Sequence, residues 1–277
     1  MVSAAEARTY VPSVPEALTF STGGADGFAT LCNAAARRSV HPLLLFLNDD
    51  VETPDPFVGK LLKCLSEEDV FAVTPPVLIR EGERLVDESE TRLTLKRGFL
   101  WTGHKPGAYP GNVLPPHEIP YAVGACVLLK KSVFMNLGGF DERFSPAYWE
   151  DVDLSYRAIK RGYRVLHCPA GAVFHRRGET TSRLPKPEFQ RLFYRNQLLF
   201  HWKNLQSPAL WRAHRAAARL KNLTSLLKGD FAYRAAYQEA GRIMAAQQAV
   251  RAAERTAAKR SDEDILRDFH ALPGAPL

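Results

Sequence analysis

Asn48, Asp49 and Asp50 form the first group of side chains whose types and spacing could do chemistry. They directly follow an apolar run at residues 42–47. Two adjacent carboxylates at the end of a strand are costly unless they are solvated, paired or bound to a cation, and hard divalent metals with diphosphate oxygens are their natural complement. Acidic turns between strands and helices are common, so a solvated turn is the alternative interpretation.

The second group comprises Glu150, Asp151 and Asp153, which fall in the first turn of a predicted helix at residues 150–161. One interpretation is structural, because carboxylates stabilise the N-terminus of a helix. The other is catalytic: one of these acids faces a cleft as a general base, with its pKa set by the neighbouring acids and by aromatic burial.

His175 is the third candidate, and Arg176 and Arg177 follow it. An imidazole beside two guanidinium groups is often an ordinary surface residue. If its strand ends near Asp50, however, the neutral imidazole could complete a metal site. The arginines could then neutralise phosphate.

The elements that position these groups follow an α/β pattern. The run at 42–47 predicts a buried strand that delivers polar groups at its carboxyl end, where ligands bind in such sheets. Residues 80–118, rich in Gly, Pro and charge, are predicted to form an irregular surface excursion or lid. Further strands are predicted at 70–74, 123–129, 163–168 and 172–175, helices at 33–38, 55–65, 131–137 and 150–161, and only helices beyond Pro185.

The 277 residues suffice for one main domain with an appended segment. The sequence has no apolar run of the roughly 20 residues that a membrane span needs, and no apolar N-terminal stretch typical of a secretory signal, so we expect a cytoplasmic protein. Cys32, Cys64, Cys126 and Cys168 show no CxxC spacing. We expect all of them to be reduced residues of the core.

Positive charge is concentrated in the C-terminal third, where residues 176–260 contain 18 Lys and Arg against 5 Asp and Glu. Such a block suits a phosphate-bearing ligand, an anionic membrane or nucleic acid, and a solvated helical face is the alternative. Nucleic acid is disfavoured, because aromatic residues are not interleaved with the arginines. A helix starting at Ser207 is predicted to place an apolar face opposite a cationic one, the first with Leu210, Ala213, Ala217, Leu220 and Leu227, the second with Arg212, Arg215 and Arg219.

Taken in order, these motifs resemble the family 2 inverting glycosyltransferases of the GT-A type, particularly the bacterial rhamnosyltransferase-like branch. The resemblance covers about residues 20–205 and rests on the segments 47–50, 123–126, 138–144 and 150–154, with Arg157 and His175. It implies an α/β fold in which a GT-A-like, Rossmann-like mixed sheet is flanked by helices. The implied organisation is an irregular N-terminus (1–19), a glycosyltransferase domain (20–205) and a basic, alanine-rich helical extension (206–277).

The resemblance also implies roles for individual residues. Asp151 would deprotonate the acceptor hydroxyl, and Asp50 with His175 would hold Mg²⁺ or Mn²⁺ on the diphosphate of a nucleotide-sugar donor. Inverting transfer needs only such a base and neutralisation of the leaving group. The implied donor-side residues are Gly27, Asn33, Asn48, Asp49 and Arg176, and the implied acceptor-side residues are Gly139, Trp149, as a stacking wall for a sugar ring, and Glu150.

The family's usual first nucleotide-binding segment has no counterpart before Phe20. We therefore expect an N-terminally truncated form of the fold, and the alternative to an enzyme is a degenerate, non-catalytic partner or a glycan-binding protein. A nucleotidyltransferase is the enzymatic rival, but the glycine-rich, lysine-containing loop typical of that class is not found in the sequence.

The C-terminal third suggests where the acceptor would be met. A glycan or polyprenyl-linked acceptor at the inner face of the cell membrane would suit the cationic helices, which could lie on an anionic bilayer. Asn196 and Lys203 also fit the family's C-terminal pattern. They could close over the diphosphate, or their helix could simply pack its aromatic residues onto the domain.

Overall fold

The computed structural model describes residues 27–54, 57–111, 115–169, 171–176, 185–245 and 248–269. The strands are β1 (Leu43–Leu47), β2 (Val51–Glu52), β3 (Val70–Thr74), β4 (Val77–Glu81), β5 (Arg84–Asp87), β6 (Thr91–Lys96), β7 (Phe99–His104), β8 (His117–Glu118), β9 (Cys126–Lys130), β10 (Arg164–His167) and β11 (Val173–His175). The helices are α1 (Phe28–Arg38), α2 (Val58–Cys64), α3 (Lys131–Asn136), α4 (Glu150–Lys160), α5 (Lys186–Asn204), α6 (Pro208–Leu227), α7 (Phe231–Ala245), α8 (Gln248–Ala257) and α9 (Asp262–Phe269). The predicted irregular N-terminus, residues 1–19, lies outside the described residues.

The main sheet has the strand order β1-β9-β3-β10-β8 and is mixed. Strands β1 and β3 are both antiparallel to β9, and β10 is parallel to β3, so β1, β3 and β10 run in the same direction. A second sheet, of order β2-β11-β4-β5, continues from the carboxyl ends of these three strands. The predicted α/β architecture, a mixed sheet flanked by helices, is confirmed.

Strand β1 is less buried than the sequence predicts. In the part of the chain that the structure describes, it pairs with β9 alone and lies at the edge of its sheet. Leu44 and Phe46 are buried, whereas Leu45 and Leu47 are 38% and 43% exposed. An apolar run shows that a strand has affinity for a core, but not how many of its faces are covered.

The region predicted to be irregular, residues 80–118, contains two β-hairpins and the short strand β8. Strands β4 and β5 are joined by a turn with Gly82 at φ 62°, and β6 and β7 by Arg97 and Gly98 at φ 51° and 80°. Two consecutive residues with positive φ form a hairpin turn whose twist matches that of the strands. The prediction was wrong because Gly and charge were taken as marks of a loop.

The expectation of four reduced cysteines is also wrong. Cys64, at the end of α2, is disulfide-bonded to Cys168, just after β10, with a Cα–Cα distance of 6.3 Å. Cys32 and Cys126 are free. The bonded pair is 104 residues apart in sequence, so no local spacing could reveal it.

The C-terminal helices pack into the same hydrophobic core as the main sheet, with Tyr233 and Ile265 in one cluster with Phe71 and Leu129. The predicted boundary at 205/206 therefore has no separate core to mark it and stays a prediction. Among the described residues, no helix is both long and apolar enough to cross a bilayer.

The predicted apolar face of α6 is wrong in its C-terminal half. Leu220 is 63% exposed and Leu227 is 88% exposed, together with Leu223 at 63%. These leucines share the outer face of the helix with the arginines, because the buried side is taken by small and polar residues such as Ala218 and Ser225.

Candidate active site and metal centre

Asp50 and His175 meet at the junction of the two sheets. Asp50 follows β1, and His175 ends β11, which pairs with β2 so that His175 lies opposite Val51. The backbone N–H of Arg176 donates to the carbonyl oxygen of Asp50 at 3.0 Å. This pairing brings His175 Nε2 to 3.1 Å from Asp50 Oδ1. The structure therefore unites the two residues predicted to hold a metal.

Glu88 completes this centre, although the sequence analysis missed it. Its Oε1 lies 2.5 Å from His175 Nδ1. A carboxylate in this position accepts the Nδ1 proton and leaves the lone pair of Nε2 pointing at Asp50, the arrangement found behind metal-bound imidazoles. No local pattern marks Glu88, because it lies just after β5 in the segment predicted to be irregular.

The donor atoms of this centre fit a divalent cation. Asp50 Oδ1 is buried and makes no hydrogen bond within the described residues. With Nδ1 protonated toward Glu88, Nε2 and Oδ1 are two acceptors that face each other, which is unfavourable unless a cation or proton lies with them. Carboxylate oxygen and neutral imidazole are both ligands of Mn²⁺, and carboxylate oxygen also suits Mg²⁺.

The other predicted donor-side residues of this region lie at the same edge. The N–H of Asn48 donates to the carbonyl oxygen of Ala125 at 3.0 Å, and Asp49 is exposed. The side chain of Arg176 is 74% exposed and pairs with Glu52. Their contact with a donor stays a prediction.

Asp151 lies next to this edge at the start of α4. Its Oδ2 accepts the N–H of Gly124 at 3.2 Å, and its Oδ1 accepts the N–H of Val152 at 2.8 Å. Gly124 adjoins Ala125, the residue bonded to Asn48, so the predicted base and the metal centre are joined through the segment before β9. Burial raises the pKa of Asp151, the two N–H groups lower it, and the charge of Glu88 raises it further.

Glu150, the neighbour of Asp151, is a buried acid with an atom that lacks a partner. Its Oε2 makes no hydrogen bond with any described residue. Burial, followed by the charge of Asp151, raises the pKa of Glu150 to about 8. Glu150 therefore holds a proton at neutral pH. Its predicted contact with the acceptor is not tested by these contacts.

The turn that leads into α4 is held in an uncommon backbone conformation. Tyr148 and Trp149 have φ values of 77° and 75°, which side chains other than glycine adopt at a cost of order 1–3 kcal/mol each. The amide of Asn196 offsets this by donating to the carbonyl oxygens of Phe144, Ala147 and Tyr148 at 2.7, 2.8 and 2.8 Å. Helix α5 therefore fixes the orientation of the predicted base.

A buried charge network anchors the same helix. Asp153 Oδ2 accepts from Arg157 at 2.7 Å and from Lys203 at 2.8 Å, and Asn204 donates to Oδ1 at 2.7 Å. Burial raises the pKa of Asp153, but the charges of Arg157 and Lys203 outweigh it and leave the pKa below its ordinary value. Of the two interpretations of Asn196 and Lys203, packing onto the domain is the one that agrees with these contacts.

Three predicted ligand-binding residues have structural roles in the fold. The side chain of Asn33 donates to the carbonyl oxygen of Phe140 and accepts its N–H, at 2.8 and 2.9 Å. A Cβ on Gly139 would lie 2.4 Å from Asn33 Oδ1, so this glycine is required by Asn33. A Cβ on Gly27 would lie 2.8 Å from the backbone of Pro146. The ligand contacts implied for Gly27, Asn33 and Gly139 stay predictions.

The side chain of Trp149 does not lie where the predicted stacking wall requires it. It is 3% exposed, and its ring packs 5.0 Å from that of Phe200 and 5.9 Å from that of Phe193. An indole covered in this way offers no open face to a sugar ring. The motif identified a residue close to the site, but its side chain points into the core.

Comparison with known proteins gives a family match for the first half of the chain. The model of the family "Glycosyl transferase family 2" matches residues 3–138, a range that includes Asp50 and Glu88 and ends before Asp151 and His175. The match covers 136 of the 277 residues, and over this range the chain is similar to glycosyl transferase family 2.

The relatives extend the likeness to particular transferases. The chain is 40% identical over 80 residues to the N-acetylglucosaminyl-diphospho-decaprenol L-rhamnosyltransferase of Mycobacterium tuberculosis, which covers 28% of this chain and 26% of that protein. It is 26% identical over 182 residues to the low-salt glycan biosynthesis hexosyltransferase Agl10 of Haloferax volcanii, covering 64% of this chain and 58% of that one. The crystal structure of GalNAc-T7 with UDP, GalNAc and Mn²⁺ is 15% identical, with a TM-score of 0.47, over 69% of this chain and 42% of that one.

Proposed function

We propose that this chain transfers a sugar from a nucleotide-diphosphate donor to a glycan or lipid-linked acceptor, with inversion at the anomeric carbon. The observation that carries the proposal is the placement of Asp151 beside the Asp50–His175 centre, with Glu88 acting on both. The match to the family model supports sugar transfer. The rhamnosyl- and hexosyltransferase relatives suggest the class of substrate.

Asp151 is proposed to act as the general base. In a single displacement the acceptor oxygen forms a bond to the anomeric carbon, the bond to the diphosphate breaks, and the hydroxyl proton passes to Asp151. No covalent nucleophile is needed. Burial raises the pKa of Asp151, which strengthens it as a base.

Asp50 and His175 are proposed to hold Mg²⁺ or Mn²⁺ at the donor diphosphate. When bound, such a metal neutralises charge that develops on the leaving group. Glu88 keeps the proton of His175 on Nδ1 and so presents Nε2 as a ligand atom. Asp49 and Arg176, at the same edge, are proposed to contact the donor.

The test is calorimetric titration of the purified chain with UDP, dTDP and GDP, with and without Mn²⁺. We expect Mn²⁺-dependent binding of one nucleotide in the wild type, and its loss in Asp50→Asn. Glu83→Gln, which removes an exposed charge in the β4–β5 turn, is the matched control and should bind as the wild type does. Absence of nucleotide binding by the folded wild type would support the alternative, a non-catalytic relative or a glycan-binding protein.

The same proposal places the protein on the inner face of the cell membrane through α6. Its outer face exposes Leu220, Leu223, Leu226 and Leu227, and Phe231 of α7 adds a side chain that is 70% exposed. Arg212 and Arg219 precede the leucines on the same face. An apolar patch with cationic neighbours is typical of helices that lie in the interface of an anionic bilayer. Such a position would suit a polyprenyl-linked acceptor.

Liposome flotation tests the apolar and the electrostatic contributions to membrane binding separately. We expect the chain to float with vesicles of phosphatidylglycerol but not with pure phosphatidylcholine, and to lose binding in Leu223→Ser/Leu227→Ser. The control is Leu62→Ser, which removes a similar side chain, 43% exposed, from α2. Equal flotation of both variants would contradict membrane docking through α6. It would not affect the roles proposed for Asp50 as a metal ligand and Asp151 as a base.

A further inference from the structure

A second group of potential ligands lies outside the proposed active site. Glu90, between β5 and β6, meets His117 of β8 and His167 at the end of β10. The ligand atoms of these three residues all lie within 4.8 Å of one another. Glu90 Oε1 is 3.0 Å from His117 Nε2 and 3.7 Å from His167 Nδ1.

The remaining nitrogen of each ring is already occupied. His117 Nδ1 lies 3.0 Å from the carbonyl oxygen of Pro115, and His167 Nε2 lies 2.8 Å from Asp87 Oδ2. A carbonyl only accepts hydrogen bonds, and the other oxygen of Asp87 accepts from Val77, Ser89 and the Ser89 hydroxyl, as an ionised carboxylate does. Both rings therefore carry their proton on the side away from Glu90.

In neutral rings the atoms that face Glu90 are lone pairs; a protonated His117 would instead donate from Nε2 to Glu90, and this contact raises the pKa of His117. His167 is 2% exposed, and its Nδ1 makes no hydrogen bond with any described residue; the same holds for Glu90 Oε1. With both rings neutral, three acceptors converge without a donor, repel one another and are costly to bury. A cation between them would convert this repulsion into three bonds.

We propose that Glu90, His117 and His167 bind a divalent transition metal of the zinc class. Two imidazoles and one carboxylate form a recognised zinc ligand set, whereas Mg²⁺ prefers oxygen ligands. Tetrahedral zinc with bonds of about 2.0–2.1 Å separates its ligand atoms by about 3.3 Å, which lies between the 3.0 and 3.7 Å found here. Asp87 and the Pro115 carbonyl supply the outer hydrogen bonds that orient such imidazoles.

The metal would act as a cross-link within the fold. Its ligands come from three separate stretches: the link between two hairpins, the short strand β8, and β10 of the main sheet. Binding to the folded state alone stabilises a protein by mass action. It would also fix the segment 87–90, which supplies Glu88 to His175.

The test uses the full chain after removal of metal with a chelator. Because zinc could also bind at Asp50 and His175, the background is Asp50→Asn. We expect this chain to bind one Zn²⁺ by calorimetry, to gain thermal stability on binding, and to give the visible absorption of Co²⁺ with low coordination number when Co²⁺ replaces zinc. Adding His117→Gln should weaken Zn²⁺ binding by about 100-fold or more and remove the Co²⁺ absorption.

His104→Gln in the same background is the matched control. His104 faces Glu81 at 3.7 Å with a side chain that is 28% exposed, close to the 33% of His117, and it belongs to no three-residue ligand group in the described residues. It should bind Zn²⁺ normally. Equal affinities of the His117 and His104 variants would overturn the proposal. If His117→Gln did not fold, Glu90→Gln would replace it, with the same outcomes.

Discussion

The Asp50–His175 centre and the Glu90–His117–His167 centre share one short segment but differ in composition. In each, a carboxylate from residues 87–90 bonds the far nitrogen of an imidazole, Glu88 at His175 and Asp87 at His167. The first centre offers one imidazole and one carboxylate oxygen at the edge of the sheet. The second offers two imidazoles around a carboxylate. The two proposed sites therefore differ in their ligand atoms and not in the supporting hydrogen bond.

The first prediction tests the general base proposed beside the first centre. Asp151→Asn should lower kcat by about 10²–10⁴-fold, the range lost when a general base is removed. Nucleotide binding should persist, because Asp151 is proposed to act on the acceptor and not on the nucleotide. The measurement is single-turnover transfer together with calorimetry.

Asp264→Asn is the control for that variant, since Asp264 is also an acid in the first turn of a helix, α9. It should leave kcat unchanged. Full activity of Asp151→Asn would show that another group accepts the proton.

The second prediction compares the two supporting carboxylates. Glu88→Gln should weaken Mn²⁺-dependent nucleotide binding by about 10–100-fold, the usual effect of losing an outer hydrogen-bond partner. It should leave Zn²⁺ affinity unchanged. Asp87→Asn should do the reverse, and calorimetry with each metal measures both.

Asp87→Asn should also lower the thermal stability, because its buried carboxylate accepts several hydrogen bonds around Ser89 and a buried donor left without a partner costs about 1–3 kcal/mol. Glu88→Gln should change the melting temperature little. If each variant weakened the binding of Mn²⁺ and of Zn²⁺ equally, the two centres would not be independent.

The sequence predicted much of this arrangement. Periodicity located β3, α3 and α4 within a residue or two, and the family resemblance brought together Asp50 and His175, which the structure places 3.1 Å apart. Periodicity works here because each element buries one face. The resemblance works because it reports residues that are distant in sequence.

What the sequence could not predict depends on direction and on distant contacts. The resemblance selected Asn33 and Trp149 as ligand-binding residues, but a motif does not say which way a side chain points, and both side chains are buried. Glu88 and Glu90 were missed because the hairpins before and after them have short turns rich in glycine and charge, and the whole segment was therefore predicted to be a loop. The exposure of the leucines of α6 was not predicted, because helical spacing shows which residues share a face but not whether another element covers that face.

The last prediction concerns the loss of stability caused by burying Glu150 beside Asp151. The pKa of Glu150 is raised from 4.5 to about 8, so between these values the folded state holds a proton that the unfolded chain has lost. Stability contributed by this residue therefore falls as pH rises from about 4.5 to 8 and is lowest above 8. Glu150→Gln removes the effect and should raise the melting temperature by ~3 °C or more at pH 8.5 and change it little at pH 5. Glu188→Gln, in the first turn of α5 and exposed, should have no pH-dependent effect. A gain of the same size at both pH values would mean that Glu150 is destabilising through packing, and that its proton is not held beside Asp151.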